Sequence, residues 1–542
     1  MCYAVVGNSI NQNPFYMKIK FHFLIAVVLF AFTSVQSFAQ SSPQNWFHLD
    51  PWSDKMAGVS DDRAYGDLLK GMESKTVIVA VIDGGVQVNH PDLADHIWIN
   101  ADEIANNQID DDHNGYVDDV NGWDFIGGKD GTDVNQDNYE LTRLYRDYKK
   151  IYDGVDPKSV PDVKQYNYYL ALKTDYLTNY NDAKDNLDAY TNFMDEIKKV
   201  IELTGKTNPT ATEISNVETG GDQQAAIIKS ILGSMISDTY TVTDAMADFQ
   251  EGVDQYNSMV NYGYNLDFDP RNIVGDNYSD GSEKFYGNNE LKGPDGMHGT
   301  HVSGIIGAIR NNGIGMNGVC DNVKIMVLRV VPDGDERDKD VANAIRYAVD
   351  NGAKVINMSF GKGYSYNKTL VDDAVKYAAD HDVLMVHAAG NDGQNNDVSN
   401  NFPNDQYADG SGYAPNWIEV GACGSSFDPA NFSNYGKKGV DLFAPGEEIY
   451  STVPDGDYKN LQGTSMASPV VAGVAALIRS YFPELTAVQV KSILMSSVTT
   501  LKSKVPLPGD DKKKTKYTKL CVSGGIVNAY VAVKFAKQAT GK

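Results

Sequence analysis

Four short stretches carry residue types that could together perform acyl transfer. TVIVAVIDGG ends a β-branched run in Asp83, and GPDGMHGTHVSG holds His298 and His301. VLMVHAAGND reaches Asn391, and LQGTSMASPVVAGVAALI sets Ser465 before a run of small apolar residues. A serine at its ordinary pKa is a weak nucleophile, so an imidazole must take its proton. A carboxylate on the other ring nitrogen fixes the tautomer and stabilises the imidazolium. An amide aimed at the developing oxyanion supplies the last part. Taken singly, Ser465 could cap a helix, Asp83 could end a strand in a turn, and Asn391 before Asp-Gly suggests a turn. An acid, an imidazole, an amide and a hydroxyl, each at the end of an element, point instead to hydrolysis through a serine nucleophile.

Such residues need a scaffold that gathers element ends at one edge. TVIVAVI (76–82), KIMVLRVV (324–331), KVINMSF (354–360), VLMVHAA (383–389) and WIEVGAC (417–423) read as strands buried on both faces. VANAIRYAVDNGA (341–353) and TLVDDAVKYAADH (369–381) read as helices between them. The expected class is α/β, a three-layer αβα arrangement with a mainly parallel sheet. Ligand sites in such sheets lie at the carboxyl ends of the strands, where the four stretches fall. The run after Ser465 reads as a helix with almost no polar face, and Pro469 suits its first turn. Residues 135–265 are polar, Tyr-rich and helical in period, without β-branched runs, and are expected to form a helical insertion.

VAVIDGG, HGTHVSG, HAAGND and GTSMASP, in that order, resemble the signature blocks of the subtilisin-like serine proteases. The order Asp, His, Ser is that of subtilisin. The resemblance implies a triad of Asp83, His298 and Ser465, with His301 structural. It implies that Asn391 donates its amide to the oxyanion beside the Ser465 backbone N–H. Ser359, Phe360 and Gly361 resemble the segment that pairs with an extended peptide. Ala388, Ala389 and Gly390 resemble the wall of the pocket for the acyl-side residue. These residues are small and uncharged, so an apolar or broad preference is expected there. The implied partner is a protein or peptide substrate, with no catalytic cofactor. A dedicated processing protease gated by the insertion, or an inactive binding protein on the same fold, are the competing readings. Four features depart from the family pattern: Gly84 in place of Ser or Thr, Val470 in place of His, the long insertion, and a span 40–75 too short for a separate inhibitory pro-domain. The expected division is a leader over 1–39, a lead-in over 40–75, a catalytic domain over 76–134 and 266–535, and the insertion over 135–265.

The chain of 542 residues has a formal net charge of −25, which argues against nucleic acid as a partner. From Met17, MKIKFHFLIAVVLFAFTSVQSFAQ reads as a signal peptide cut near Ala39, its apolar core too short to be a comfortable membrane span. An exported protein, periplasmic or secreted, without stable membrane insertion is expected. Cys2 falls in the leader. Cys320, Cys423 and Cys521 suit buried small hydrophobes, with one disulfide possible. IDDDHNGYVDDVNGWDF (109–125) opens like a calcium loop, D-x-D-x-N-G. Asp110, Asp112, Asn114, the Tyr116 carbonyl and Asp119 are its candidate ligands, holding a structural Ca²⁺. Asn121 replaces the usual bidentate Glu at the twelfth position.

Overall fold

A computed structural model describes residues 42–542. The expected signal segment with its expected cleavage point, and Cys2, lie outside the described residues. A nine-stranded sheet organises most of the chain. Seven of its strands matter here: β1 (Val77–Asp83), β2 (Gly122–Asp124), β3 (Val323–Arg329), β4 (Val355–Met358), β5 (Leu384–Ala388), β6 (Trp417–Cys423) and β7 (Leu442–Pro445). They run parallel in the order β7-β6-β5-β4-β1-β3-β2. The short strands Thr499–Thr500 and Gly525–Ile526 extend the β7 edge. The β-branched runs read from the sequence are these strands to within about three residues, the usual scatter of element ends. β2 and β7 have no such run and were not foreseen.

Side chains alternate across the sheet, so β1 feeds two cores. Val79 and Val81 join one apolar cluster, and Ala80 and Ile82 the other. Helix α1 (Glu140–Tyr152) precedes α2 (Met297–Gly307), α3 (Asp338–Asp350), α4 (Lys368–Asp380) and α5 (Thr464–Tyr481). α2 and α5 cover the first face, and α3 and α4 the second. From β1 the chain passes to β2 and β3 on one side. It then crosses to β4 and moves outward through β7 on the other. Strand order therefore reverses around β1, and the carboxyl ends of β1, β4 and β5 frame a crevice.

Residues 170–264 form a separate compact unit. Its helices include the latter part of Val163–Thr204, then Ala211–Ser215, Gln223–Met235 and Val242–Ser258. Phe193, Ile197, Ile214, Ile228, Leu232 and Phe249 make its own core. Capping boxes at Thr210 with Glu213, and Thr241 with Asp244, start two of the helices. α1 belongs to the sheet-bearing unit instead. Glu140 and Arg143 on α1 are buried, and Lys362, just past β4, places its ammonium 2.9 Å from Glu140 Oε2 and 2.7 Å from Asp338 Oδ1. The Arg143 guanidinium lies 2.9 Å from the same Glu140 oxygen.

The three remaining cysteines are buried and free, so the disulfide considered above is not formed. Among the described residues no helix is long and apolar enough to cross a membrane.

Burial would raise the Glu140 carboxyl, but Arg143 and Lys362 outweigh it and hold its pKa down to about 2. The stabilisation is full above the ordinary value of 4.5 and fades as pH falls toward about 2. Glu140→Ala leaves two buried cations short of a partner and should cost about 3–5 kcal/mol in urea unfolding at pH 7. A cost under about 1 kcal/mol would show that the cluster is solvated.

Candidate active site

Asp83 is the last residue of β1, and 3% of its surface is exposed. Its Oδ1 accepts from the Gly84 backbone N–H at 2.8 Å and bonds His298 Nδ1 at 2.8 Å. Its Oδ2 is buried with no protein donor, and Gly84 has no hydroxyl to offer it. His298 sits in the first turn of α2, its side chain 42% exposed. Loss of water disfavours its charged form. The charge and hydrogen bond of Asp83 outweigh that, Asp295 adds to them, and the pKa stands above the ordinary 6.5. With Nδ1 committed to Asp83, Nε2 faces away from the carboxylate and is free to exchange a proton.

The first turn of α2 is held by a hairpin, β8 (Ile449–Val453) and β9 (Asp457–Leu461). Ser451 Oγ donates to the His301 carbonyl and Thr452 Oγ1 to the Thr300 carbonyl, both at 2.7 Å. His301 Nε2 lies 3.0 Å from the carbonyls of both Ile449 and Lys459, so that nitrogen carries the hydrogen. Burial pushes the His301 pKa down to about 4. This imidazole is a neutral tie between α2 and the hairpin.

Ser465 is the second residue of α5, after Gly463 at the N-cap. It does not cap the helix. Its hydroxyl donates to the Ser359 carbonyl at 3.0 Å, and no hydrogen bond joins it to His298. Such bonds commonly form only when substrate is bound. Pro469 lies in the second turn of α5, not in the first turn as the sequence suggested. Proline has no N–H, so the carbonyl four residues back, that of Ser465, loses its helical donor. Ser359 supplies the replacement, its hydroxyl donating to that carbonyl at 2.9 Å. Ser359 and Ser465 therefore hold each other through two reciprocal bonds.

Asn391 follows β5. Its Oδ1 accepts from the Thr464 N–H at 2.8 Å and from the Thr464 hydroxyl at 2.9 Å. That turns the amide Nδ2 the other way. Gly463 has φ +151°, and the position a Cβ would take there lies 3.5 Å from both Asn391 Nδ2 and Ser465 N. Two donors thus converge on a space that any other side chain at 463 would fill. Gly463 and Thr464 were missed as site residues, although GTSMASP contains both.

Ser359, Phe360 and Gly361 follow β4, and Phe360 stands edge-on to His387. Ala388 ends β5, and Ala389 and Gly390 follow it. Their backbone is fixed from behind. Asn401 Nδ2 donates to the Ala388 carbonyl, while Asn396 Nδ2 and Asn434 Nδ2 donate to that of Ala389.

The chain from 74 to 519 matches the model of the subtilase family. The chain belongs to the subtilase family. A thermophilic serine proteinase of Bacillus sp. strain AK1 is 42% identical to this subtilase over 184 residues, 34% of this chain and 42% of that protein. Subtilisin DY of Bacillus licheniformis is 39% identical over 208 residues, 38% of this chain and 71% of its own. Overall, the chain spans about half the length of the first curated relatives it matches. A solved prenylagaramide maturation protease aligns with a TM-score of 0.37 at 28% identity, over 44% of this chain and 82% of that one.

Away from these residues, the acidic loop draws Glu103, Asp112 and Asp119 together, with one oxygen of each within 4.8 Å of the others. Asn114 Nδ2 bonds Asp112 and Asp119. Asp110 turns to the backbone N–H groups of Asn114 and Gly115, and the Asn114 Oδ1 accepts from the Tyr116 N–H. Glu103 was not among the candidates, since it lies outside the D-x-D-x-N-G pattern.

The Pro469 reading has a direct consequence. Ser359→Ala strands the Ser465 carbonyl and should destabilise the fold by about 1–3 kcal/mol. In a Pro469→Ala background the helical N–H returns and the same change should cost measurably less. Equal costs in both backgrounds of the double-mutant cycle would separate Ser359 from the proline.

Proposed function

We propose that this chain is an exported serine endopeptidase that hydrolyses peptide bonds through an acyl-enzyme on Ser465. The reading is carried by the Asp83–His298 bond at the same sheet edge as Ser465, Asn391 and Ser359. His298 Nε2 takes the Ser465 proton as Oγ attacks the scissile carbonyl. Asp83, buried and hydrogen-bonded to Nδ1, fixes the tautomer and stabilises the imidazolium. The oxyanion occupies the space beside Gly463, between Asn391 Nδ2 and Ser465 N–H. His298 then returns the proton to the leaving amine, and water repeats the sequence to free the acid. The segment 359–361 binds the peptide as an added strand. To do so the substrate must take over the Ser359 carbonyl, which releases the Ser465 hydroxyl toward His298. The small wall residues 388–390 support an apolar or broad acyl-side preference. Export rests on the signal-like segment from Met17.

The test is labelling of the purified protein by a fluorophosphonate, beside Ser465→Ala. Labelling should vanish in the variant. Since His298 must be neutral to accept the proton, the acid limb of the labelling rate should lie above pH 6.5. Asp295→Asn should move that limb to lower pH. An unlabelled wild type would overturn the reading.

We also propose that Glu103, Asp112 and Asp119 hold a structural Ca²⁺. Hard carboxylate oxygens are ligands this ion takes. Bound only by the native loop, it would raise stability by mass action. Millimolar Ca²⁺ should raise the unfolding midpoint of the wild type and not that of Glu103→Gln/Asp112→Asn. An unmoved wild-type midpoint would refute the site.

A further inference from the structure

We propose that the lysine-rich hairpin near the C-terminus is a docking surface for an acidic stretch of the substrate polypeptide, on the leaving-amine side of the scissile bond. The proposal rests on the endopeptidase reading above and adds the substrate class.

The chain is acidic overall, with 72 Asp and Glu against 47 Lys and Arg. Residues 502–519 reverse that balance, with seven lysines against two aspartates. They include a hairpin, β10 (Val505–Leu507) and β11 (Asp510–Thr515). All seven lysines are exposed. Lys513 pairs with Asp510 at 2.7 Å. Lys512, Lys514, Lys516 and Lys519 make no ion pair among the described residues. The charge of Lys514 reaches Asp428 on the body of the domain. Lys438 is exposed beside the end of the hairpin, where the Gly436 N–H donates to the Leu520 carbonyl at 2.7 Å. The acid nearest to it in the fold, Asp397, is spent on the backbone N–H groups of Lys437, Lys438 and Gly439.

Lys512 and Lys514 share one face of β11, and Lys516 follows in extended backbone. Three like charges thus recur about every 7 Å. They repel one another, and no carboxylate of the fold interleaves them. An extended acidic peptide carries its own side chains at the same two-residue period.

The ribbon is stiff and is locked to the site. Val505 and Tyr517 are buried, and the Tyr517 hydroxyl donates to the Phe427 carbonyl at 2.8 Å. At the turn, the Gly509 N–H donates to the Asn431 carbonyl at 2.8 Å. A Cβ on Gly393 would stand 2.9 Å from the Gly509 Cα, so the two backbones touch where both are glycine. Gly393 is two residues past Asn391, which puts Lys512 at most about 25 Å from the Asn391 backbone. Gly393 follows β5 and Asn431 follows β6, so the hairpin lies on the side of β5 away from β4. The acyl half is proposed to pair with 359–361 after β4, and the chain beyond the scissile bond then leaves toward the lysines. Acids elsewhere on the surface are screened beyond about 8 Å at physiological salt, so the local charge decides.

The experiment uses the full chain and one cleavable peptide, followed on the amine side by a four-residue Gly-Ser spacer and a run of Glu or of Gln. At low salt the wild type should cleave the Glu-tailed peptide with kcat/KM about tenfold or more above the Gln-tailed one, and the gain should shrink steeply as salt is added. Lys512→Glu/Lys514→Glu/Lys516→Glu changes only exposed side chains. It should abolish the gain and leave cleavage of the Gln-tailed peptide unchanged. Equal rates on the two tails overturn the proposal. So does a gain that the triple variant keeps, or an equal gain when the Glu run is moved to the acyl side. Capture by phosphatidylglycerol vesicles with no gain for the Glu tail assigns the lysines to a membrane surface and overturns it as well. Fluorescence anisotropy of the Glu-tailed peptide on Ser465→Ala reads docking without catalysis. Binding there that the triple change removes, beside a wild type that takes no fluorophosphonate, would remove the endopeptidase reading and keep the acidic partner. No binding, beside a labelled wild type, overturns the hairpin alone.

Discussion

A helix buried on every side can meet solvent only at its ends, and α5 is such a helix. Every residue from Met466 to Tyr481 is buried, packed between the sheet and the neighbouring helices. Removing that much apolar surface from water fixes the helix axis far more firmly than any contact at its tip could. Its N-terminus must then emerge at the carboxyl edge of the sheet, and Ser465 is placed by packing well beneath it. The tip is adjusted by backbone chemistry. Gly463 turns the chain through a φ open to glycine, and Pro469 frees a carbonyl that Ser359, just after β4, caps. A residue that weakens the helix thereby ties it to the segment that follows β4.

The same sheet edge gives two imidazoles opposite fates. His298 and His301 are three residues apart on α2, one near a buried carboxylate and one near two carbonyls. The carboxylate lifts the first pKa, and desolvation drops the second to about 4. One is poised to gain a proton and the other is kept neutral. Identity of side chain decides nothing here, because the charge facing each ring decides which protonation state is cheap.

The parts legible in the sequence are those with a local signature. β-branched runs mark strands because such strands are buried on both faces, and the four family-like blocks mark themselves by residue type. Pro469 was misplaced because sequence rules favour proline in a first turn. They cannot see a serine on a distant strand that compensates for it deeper in the helix. Glu103 and Thr464 act through partners that folding alone brings near. α1 reads as part of a polar, solvated segment because Glu140, Arg143 and Lys150 look like surface charge. Two of those three are buried, and Lys362, which pairs with Glu140, lies 222 positions from it. Buried ion pairs between remote segments carry no periodicity, so composition reads them as surface.

The proposed oxyanion donors and the proposed pocket wall are linked by one hydroxyl. Thr464 Oγ1 donates to Asn391 Oδ1 and accepts from the Gly390 N–H at 3.1 Å. On the proposed reading Gly390 belongs to the wall and Asn391 to the oxyanion pair, and Thr464 is part of the buried helix. A side chain that forced the wall outward would draw Gly390 from Thr464, loosen the bond that aims Asn391, and misplace the amide where charge develops. Size selection and transition-state stabilisation then share a structural element. If the proposed roles hold, an oversized residue would be penalised in kcat as well as in KM, since poor seating would spoil an interaction made only in the transition state.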